Sequence, residues 1–348
     1  MLNLRYRLAC AISLVLLGSP ALAGSVVLGY VDLDEGIAVA LLEASSQRHV
    51  DAMRRIIAER HPGGHPMRRW EMIEEHMRNA TLARFEYRYE KGGEVIIRTY
   101  HALGGDPLGR VAYRALAGEV PASPTESASS GDDSDSDSQT TSERVSDDEL
   151  EAGEWRDRTF YAGFDEHDIR APFRPRGRSV MHPSWQKTRY HALDAEQKAL
   201  RAIEEDILDG KMPRGGSIRA WLSGSACAEC RHAVRVFADT YDLDIRLNGM
   251  SSAVPVRLKE QLLTTGRARM KGPRLVDAVS GRPLVAFDAL HGARQAQVRE
   301  SLAPEAVERE AAASPWQPRV FRLAPPRSTV PATGTKPATD PSVTAPGC

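Results

Sequence analysis

Between Ile37 and Arg60 the apolar residues Val39, Leu41, Leu42, Val50, Met53, Ile56 and Ile57 recur at helical spacing, which predicts one long helix. A shorter stretch of the same period runs from Trp70 to Met77. The period then changes to two. Leu82 to Tyr89 and Glu94 to His101 alternate apolar and polar residues on either side of Lys91-Gly92-Gly93, a hairpin signature. Further along, Ala195 to Leu208 predicts a helix with Asp194 as its N-cap and Gly210 as its stop. Ser217 to Leu222 and Asp244 to Leu247 predict strands. Between them a helix opens at Ala226-Cys227-Ala228-Glu229-Cys230 and runs through Val234, Phe237 and Tyr241. Pro255 to Thr264 predicts another helix, Arg274 to Val279 and Pro283 to Phe287 short strands around Ser280-Gly281, and Ala293 to Leu302 a closing helix. Alternating helices and strands imply an α/β layer with at least two parallel strands.

The ends do not share these periods. Residues 1–23 carry Arg5 and Arg7, then an apolar run from Leu8 to Leu17, then small residues at Ala21 and Ala23. This is the layout of a secretory signal peptide cleaved before Gly24. The run is shorter than the roughly 20 residues a membrane anchor needs, so the expected mature protein is exported, periplasmic or secreted, without a stable anchor. Cys10 reads as part of that signal. Residues 304–348 read as a flexible tail, rich in Pro, Thr and Ala from Ser314 on and ending at Cys348.

The formal net charge of -1 conceals a partition. From Pro121 to Leu150 nine acids face one base, a net -8 that leaves +7 for the rest of the chain. Residues 121–153 are therefore expected to be an acidic, Ser/Asp-rich disordered linker or insertion between an N-terminal α+β region (24–120) and an α/β domain (154–303). From Arg170 to Arg189 there are six bases and no acid, interleaved with Phe173 and Trp185. Arg174, Arg176, Arg178, Trp185, Lys187 and Arg189 are thus candidate nucleic-acid contacts, with a solvated basic loop as the bland alternative. The acidic tract is suited to shield that stretch until a polyanion displaces it.

Candidate chemistry concentrates on Cys227 and Cys230. Cysteines at a helix N-terminus are favoured as thiolates by the free backbone N–H groups and the helix dipole. Three outcomes suit the spacing: a metal site, a redox dithiol, or two structural thiols. Ahead of the pair lies Tyr190-His191-Ala192-Leu193-Asp194-Ala195-Glu196, and from Arg189 to Asn248 the sequence resembles the zinc-dependent nucleic-acid and nucleotide deaminases, nearest to those of bacterial polymorphic toxins. There an H-x-E or D-x-E triplet opens one helix, C-x-x-C opens the next, and a strand lies between. The resemblance implies a cytidine-deaminase-like mixed sheet with helices on both faces, with the hairpin of Leu82 to His101 as its first two strands. It implies zinc on Asp194, Cys227 and Cys230, His191 as a substitute ligand, and Glu196 as the proton shuttle. It also implies a cytosine or adenine substrate in nucleic acid or nucleotide, and an immunity protein as partner. Asp194 in place of His and Ala226 in place of Pro depart from the usual family pattern.

A second resemblance covers the same residues. Strand, C-x-x-C, helix and strand, followed by Pro273 in Lys271-Gly272-Pro273-Arg274, look like a thioredoxin-like α/β domain. That family implies a metal-free redox pair, Cys227 and Cys230, faced by a cis-proline at Pro273, and thiol-disulfide oxidoreductase activity in the periplasm. The residues around Cys227 do not match the family's usual dithiol loop. The leading expectation is an exported zinc-dependent deaminase, a hydrolase acting as an effector or toxin. The oxidoreductase is second, and a non-enzymatic exported binding protein third.

Overall fold

A computed structural model describes residues 24–60, 70–117, 167–174, 179–183, 185–186 and 189–313. The signal-like segment, the acidic tract and the tail beyond Ser314 lie outside the described residues. The alternating stretches form a hairpin, β2 (Leu82–Lys91) and β3 (Glu94–Leu103). Lys91 pairs with Glu94, while Gly92 and Gly93 turn the chain at φ of 64° and 84°. The hairpin is part of a larger sheet. The other edge of β2 pairs antiparallel with β7 (Ser217–Leu222), which pairs parallel with β8 (Asp244–Met250). Two strands outside the expected set complete it: β1 (Val26–Val31), parallel to β8, and β4 (Asp168–Arg170), parallel to β3. The order β1-β8-β7-β2-β3-β4 makes a mixed six-stranded sheet, so the fold class is α/β. Strands from both sides of the acidic tract thus share one sheet.

Helices cover both faces. The alternation in β2 sends Phe85, Tyr87 and Tyr89 to one face, where α4 (Ala195–Leu208) and α5 (Ala228–Tyr241) cover them with Leu200, Ile203, Val234 and Phe237. Phe85 and Tyr87 are fully buried, a contribution of roughly 2–3 kcal/mol each. The opposite face is covered by α1 (Gly36–Arg60), α2 (Trp70–Asn79), α3 (Leu108–Ala117) and α7 (Ala286–Ser301), through Leu42, Met53, Ile73, Val111 and Leu290. A small third cluster joins α6 (Val256–Thr264) to the separate hairpin of β9 (Ala268–Lys271) and β10 (Arg274–Asp277). Two short strands, β5 (Trp185–Gln186) and β6 (Arg189–Tyr190), form a third, two-stranded sheet ahead of α4.

Two expectations are corrected, and one helix is added. Pro283 to Phe287 is not a strand. Only Pro283 bridges Val276, and α7 begins at Ala286, well before Ala293. Residues 304–313, read as tail, form α8 (Pro304–Ala313), held by Glu310 against Arg54 and Arg55 of α1. Residues 108–117, to which the sequence reading assigned no element, form α3, whose apolar positions pack with α1 and α2. Among the described residues no helix is long and apolar enough to cross a membrane.

Candidate metal centre

The helices α4 and α5 pack side by side on one face of the sheet, and their first turns carry the candidate residues. Cys227 is the N-cap of α5, and its sulfur accepts a hydrogen bond from the Cys230 backbone N–H at 3.1 Å. Beneath this turn, a β-carbon on Gly249 of β8 would lie 2.8 Å from the Gly224 carbonyl oxygen. Only glycine lets the loop carrying Cys227 settle that close to the sheet.

Asp194 occupies the N-cap of α4 but does not cap. An N-cap aspartate ordinarily accepts a backbone N–H of the first turn. Here no side-chain cap bond forms. Oδ2 lies instead 2.8 Å from His191 Nδ1, 3.3 Å from Cys230 Sγ and 3.8 Å from Cys227 Sγ. The sulfurs are 3.0 Å apart and both thiols are free. That gap is too wide for a disulfide, which needs about 2.05 Å, and narrower than the roughly 3.8 Å edge of a tetrahedral site with 2.3 Å zinc–sulfur bonds.

Burial dominates the electrostatics of the cluster. Cys230 is 1% exposed and Glu196, two residues after Asp194, is 4% exposed. Burial pushes the Cys230 thiol far above its ordinary range, reinforced by the Glu196 charge, the hydrogen bond with Cys227 that favours the protonated thiol, and the Asp194 charge. Two carboxylates and two sulfurs therefore share a buried volume. A dication relieves this crowding by neutralising thiolates and carboxylate together. The donor set suits zinc: two sulfurs and one carboxylate oxygen, with His191, Asp194 and Cys227 offering ligand atoms within 4.8 Å of one another. The buried Nε2 of His191 has no hydrogen-bond partner. The 2.8 Å between His191 Nδ1 and Asp194 Oδ2 is a hydrogen-bond length, so the imidazole and the carboxylate are partners as the cluster stands.

The candidate residues on α4 and α5 thus come together, and others do not join them. Pro273 lies in the turn between β9 and β10, and no cis peptide bond occurs among the described residues, so the cis-proline of the thioredoxin-like reading is absent. Arg174 is half-buried and ion-paired with Glu205 of α4. Arg176, Arg178 and Lys187 lie outside the described residues. Trp185 and Arg189 are described only as backbone of the β5–β6 pair. Two polar groupings escaped the sequence reading. One is a network of Ser45, His101, Asp168 and Arg48, whose sequence signal is the run Ser45, Ser46 and His49 interrupting the buried stripe of α1. The other is a basic cleft built from α2, β10 and α7. Compared with known proteins, the chain matches no family model, no curated protein and no solved structure.

Proposed function

We propose that the chain is an exported, zinc-dependent hydrolytic deaminase acting on a cytosine or adenine base. One observation carries the reading. The Asp194 carboxylate gives up its expected capping role to approach both cysteine sulfurs, with buried Glu196 in the first turn of the same helix. Pairing of β2 with β7, the strand between the two site helices, supports a cytidine-deaminase-like sheet in which the hairpin supplies the first two strands.

In this reading Asp194, Cys227 and Cys230 hold the zinc. His191 fixes the carboxylate through its 2.8 Å hydrogen bond. The first-turn N–H groups of α5 favour thiolates. When bound, zinc lowers the pKa of water towards neutrality and so supplies the nucleophile of a hydrolysis. Glu196 would take one proton from water and deliver it to the ring nitrogen of the base, then take the second from the hydroxyl added to the base carbon and deliver it to the departing amine, so that amine and water become carbonyl and ammonia. Its burial suits this work, since a carboxyl kept from solvent exchanges protons with what it touches. The signal-like N-terminus supports export, and with it an effector that meets nucleic acid in another cell and an immunity protein in its own.

Metal analysis with an ammonia-release assay tests the reading. One zinc per chain, lost in Cys230→Ser, together with deamination that disappears in Glu196→Gln, is the expected result. Protein isolated metal-free with a reversible Cys227–Cys230 disulfide overturns it. So does zinc-loaded protein without turnover, in which His191 completes a closed four-ligand site.

A further inference from the structure

The strand β7 leads into the loop bearing Cys227, and the two residues that follow it form part of the wall of a cleft. This cleft has a volume of about 610 Å³ and is lined by Arg78 of α2, Ser223 and Gly224 after β7, Arg274 of β10, and His291 and Arg294 of α7. One acid, Asp288, shares it. Arg294 is 4% exposed and donates to the carbonyls of Met77 and, at 2.8 Å, Ala80. It therefore struts the end of α2. That role leaves its buried Nε without a partner, and the buried Nε of Arg78 is likewise unpaired. Among the described residues neither Arg78 nor Arg274 forms an ion pair. The imidazole of His291 registers the field: burial lowers its pKa, and Arg274, Arg78 and Arg294 lower it further, with Asp288 opposing.

Three guanidinium groups around one concavity, held against their own repulsion and mostly without acids, are arranged for an anion. The volume exceeds what a single phosphate fills and falls in the range of nucleotide-sized ligands. Gly224 stands only three residues ahead of Cys227, so chain length keeps their Cα atoms within roughly 11 Å. A polynucleotide lying in the cleft would therefore run past the end of β7 that leads into the loop bearing Cys227.

We infer that this cleft binds the phosphodiester backbone of a single-stranded polynucleotide, with Arg78 and Arg274 as phosphate contacts, so that the substrate is a base within a strand and not a free base or nucleoside. The location of the base rests on the function proposed above, whereas binding in the cleft can be read without it. The experiment measures fluorescence anisotropy of labelled single-stranded DNA and RNA oligonucleotides with the whole chain, across a salt series. Arg78→Ala and Arg274→Ala each weaken binding about tenfold and lower the salt slope by about one, with zinc content and melting temperature kept at wild-type values as the folding control. Arg274→Glu weakens it further. The DNA and RNA arms show which strand is preferred. Affinity and slope indifferent to all three substitutions overturn the inference, as does equal, arginine-dependent binding of polyglutamate, which would make the cleft a general polyanion site. Arginine-dependent binding by a protein that deaminates nothing refutes the deaminase and leaves the cleft standing.

Discussion

Two groups of polar side chains lie on opposite faces of the same sheet, and they are built on opposite principles. Under α1, Ser45 Oγ lies 2.8 Å from His101 Nδ1, His101 Nε2 lies 2.5 Å from Asp168 Oδ1, and Asp168 Oδ2 lies 2.5 Å from Arg48. The residue types are those of a hydrolase triad, but each group is matched. Ser45 is fully buried and also reaches the Leu41 carbonyl at 3.1 Å, so no substrate can approach it. Burial lowers the pKa of His101 while Asp168 pulls it back. Burial raises that of Asp168, but the His101 hydrogen bond, the His101 charge and Arg48 carry it below its usual value. The network is neutral and complete. The cysteine cluster differs in kind: it gathers two sulfurs and a carboxylate oxygen, a donor set that suits a metal ion. A closed network consumes its chemistry in holding the fold, whereas a cluster of metal-type donors keeps it for a ligand.

The contrast can be broken most decisively at Glu196. Glu196→Gln is expected to lower deamination by 10²–10⁴-fold, roughly the worth of a positioned general acid/base, while zinc content stays at one per chain by metal analysis. Removing the metal with a chelator is expected to destabilise the fold by about 4 kcal/mol if zinc is held a thousandfold above its dissociation constant, read as a fall of roughly 10 °C in melting temperature. On the closed side, His101→Ala removes the buried link between Ser45 and Asp168 and is expected to cost about 3 kcal/mol in denaturant unfolding with zinc content unchanged. Loss of zinc in that variant would show that the two faces are coupled.

Acid sharpens the same contrast. Burial, with Lys198 adding to it, lowers the His76 pKa to about 4 from an ordinary 6.5. The unfolded histidine therefore takes up a proton below pH 6.5 and the folded one does not until about pH 4. Stability contributed by this residue is complete above pH 6.5 and falls by about 1.4 kcal/mol per pH unit down to pH 4, where it levels off. Unfolding midpoints across that range, flatter in His76→Phe, check the sign. Ser45→Ala is the smallest expected effect, about 1 kcal/mol of stability and none on turnover.

What the sequence disclosed follows the range of each interaction. The hairpin of β2 and β3, the helices α4 and α5, and the cluster of Asp194, Glu196, Cys227 and Cys230 were legible because each rests on a local signal: a period, a turn glycine, or a triplet at a helix start. The strand β1 was not, since Val26–Val31 sits as an edge strand made by parallel pairing with the distant β8. The same holds for the basic cleft, which gathers Arg78, Arg274 and Arg294 from three separate elements. The acid-free stretch from Arg170 to Arg189 drew the reading towards composition, while the arginines of the cleft lie elsewhere in the chain. Pro283 to Phe287 misled because a short apolar run fits the start of a buried helix as well as a strand.

The glycine at position 249 limits how this centre can change over evolutionary time. In the proposed metal centre a donor side chain can be exchanged for another that still reaches the site. No side chain can be added at Gly249 without pushing the Gly224 carbonyl, and with it the turn bearing Cys227, off the sheet. The choice of metal donor is thus open to drift, while a residue that touches no ligand sets the frame within which any donor must work.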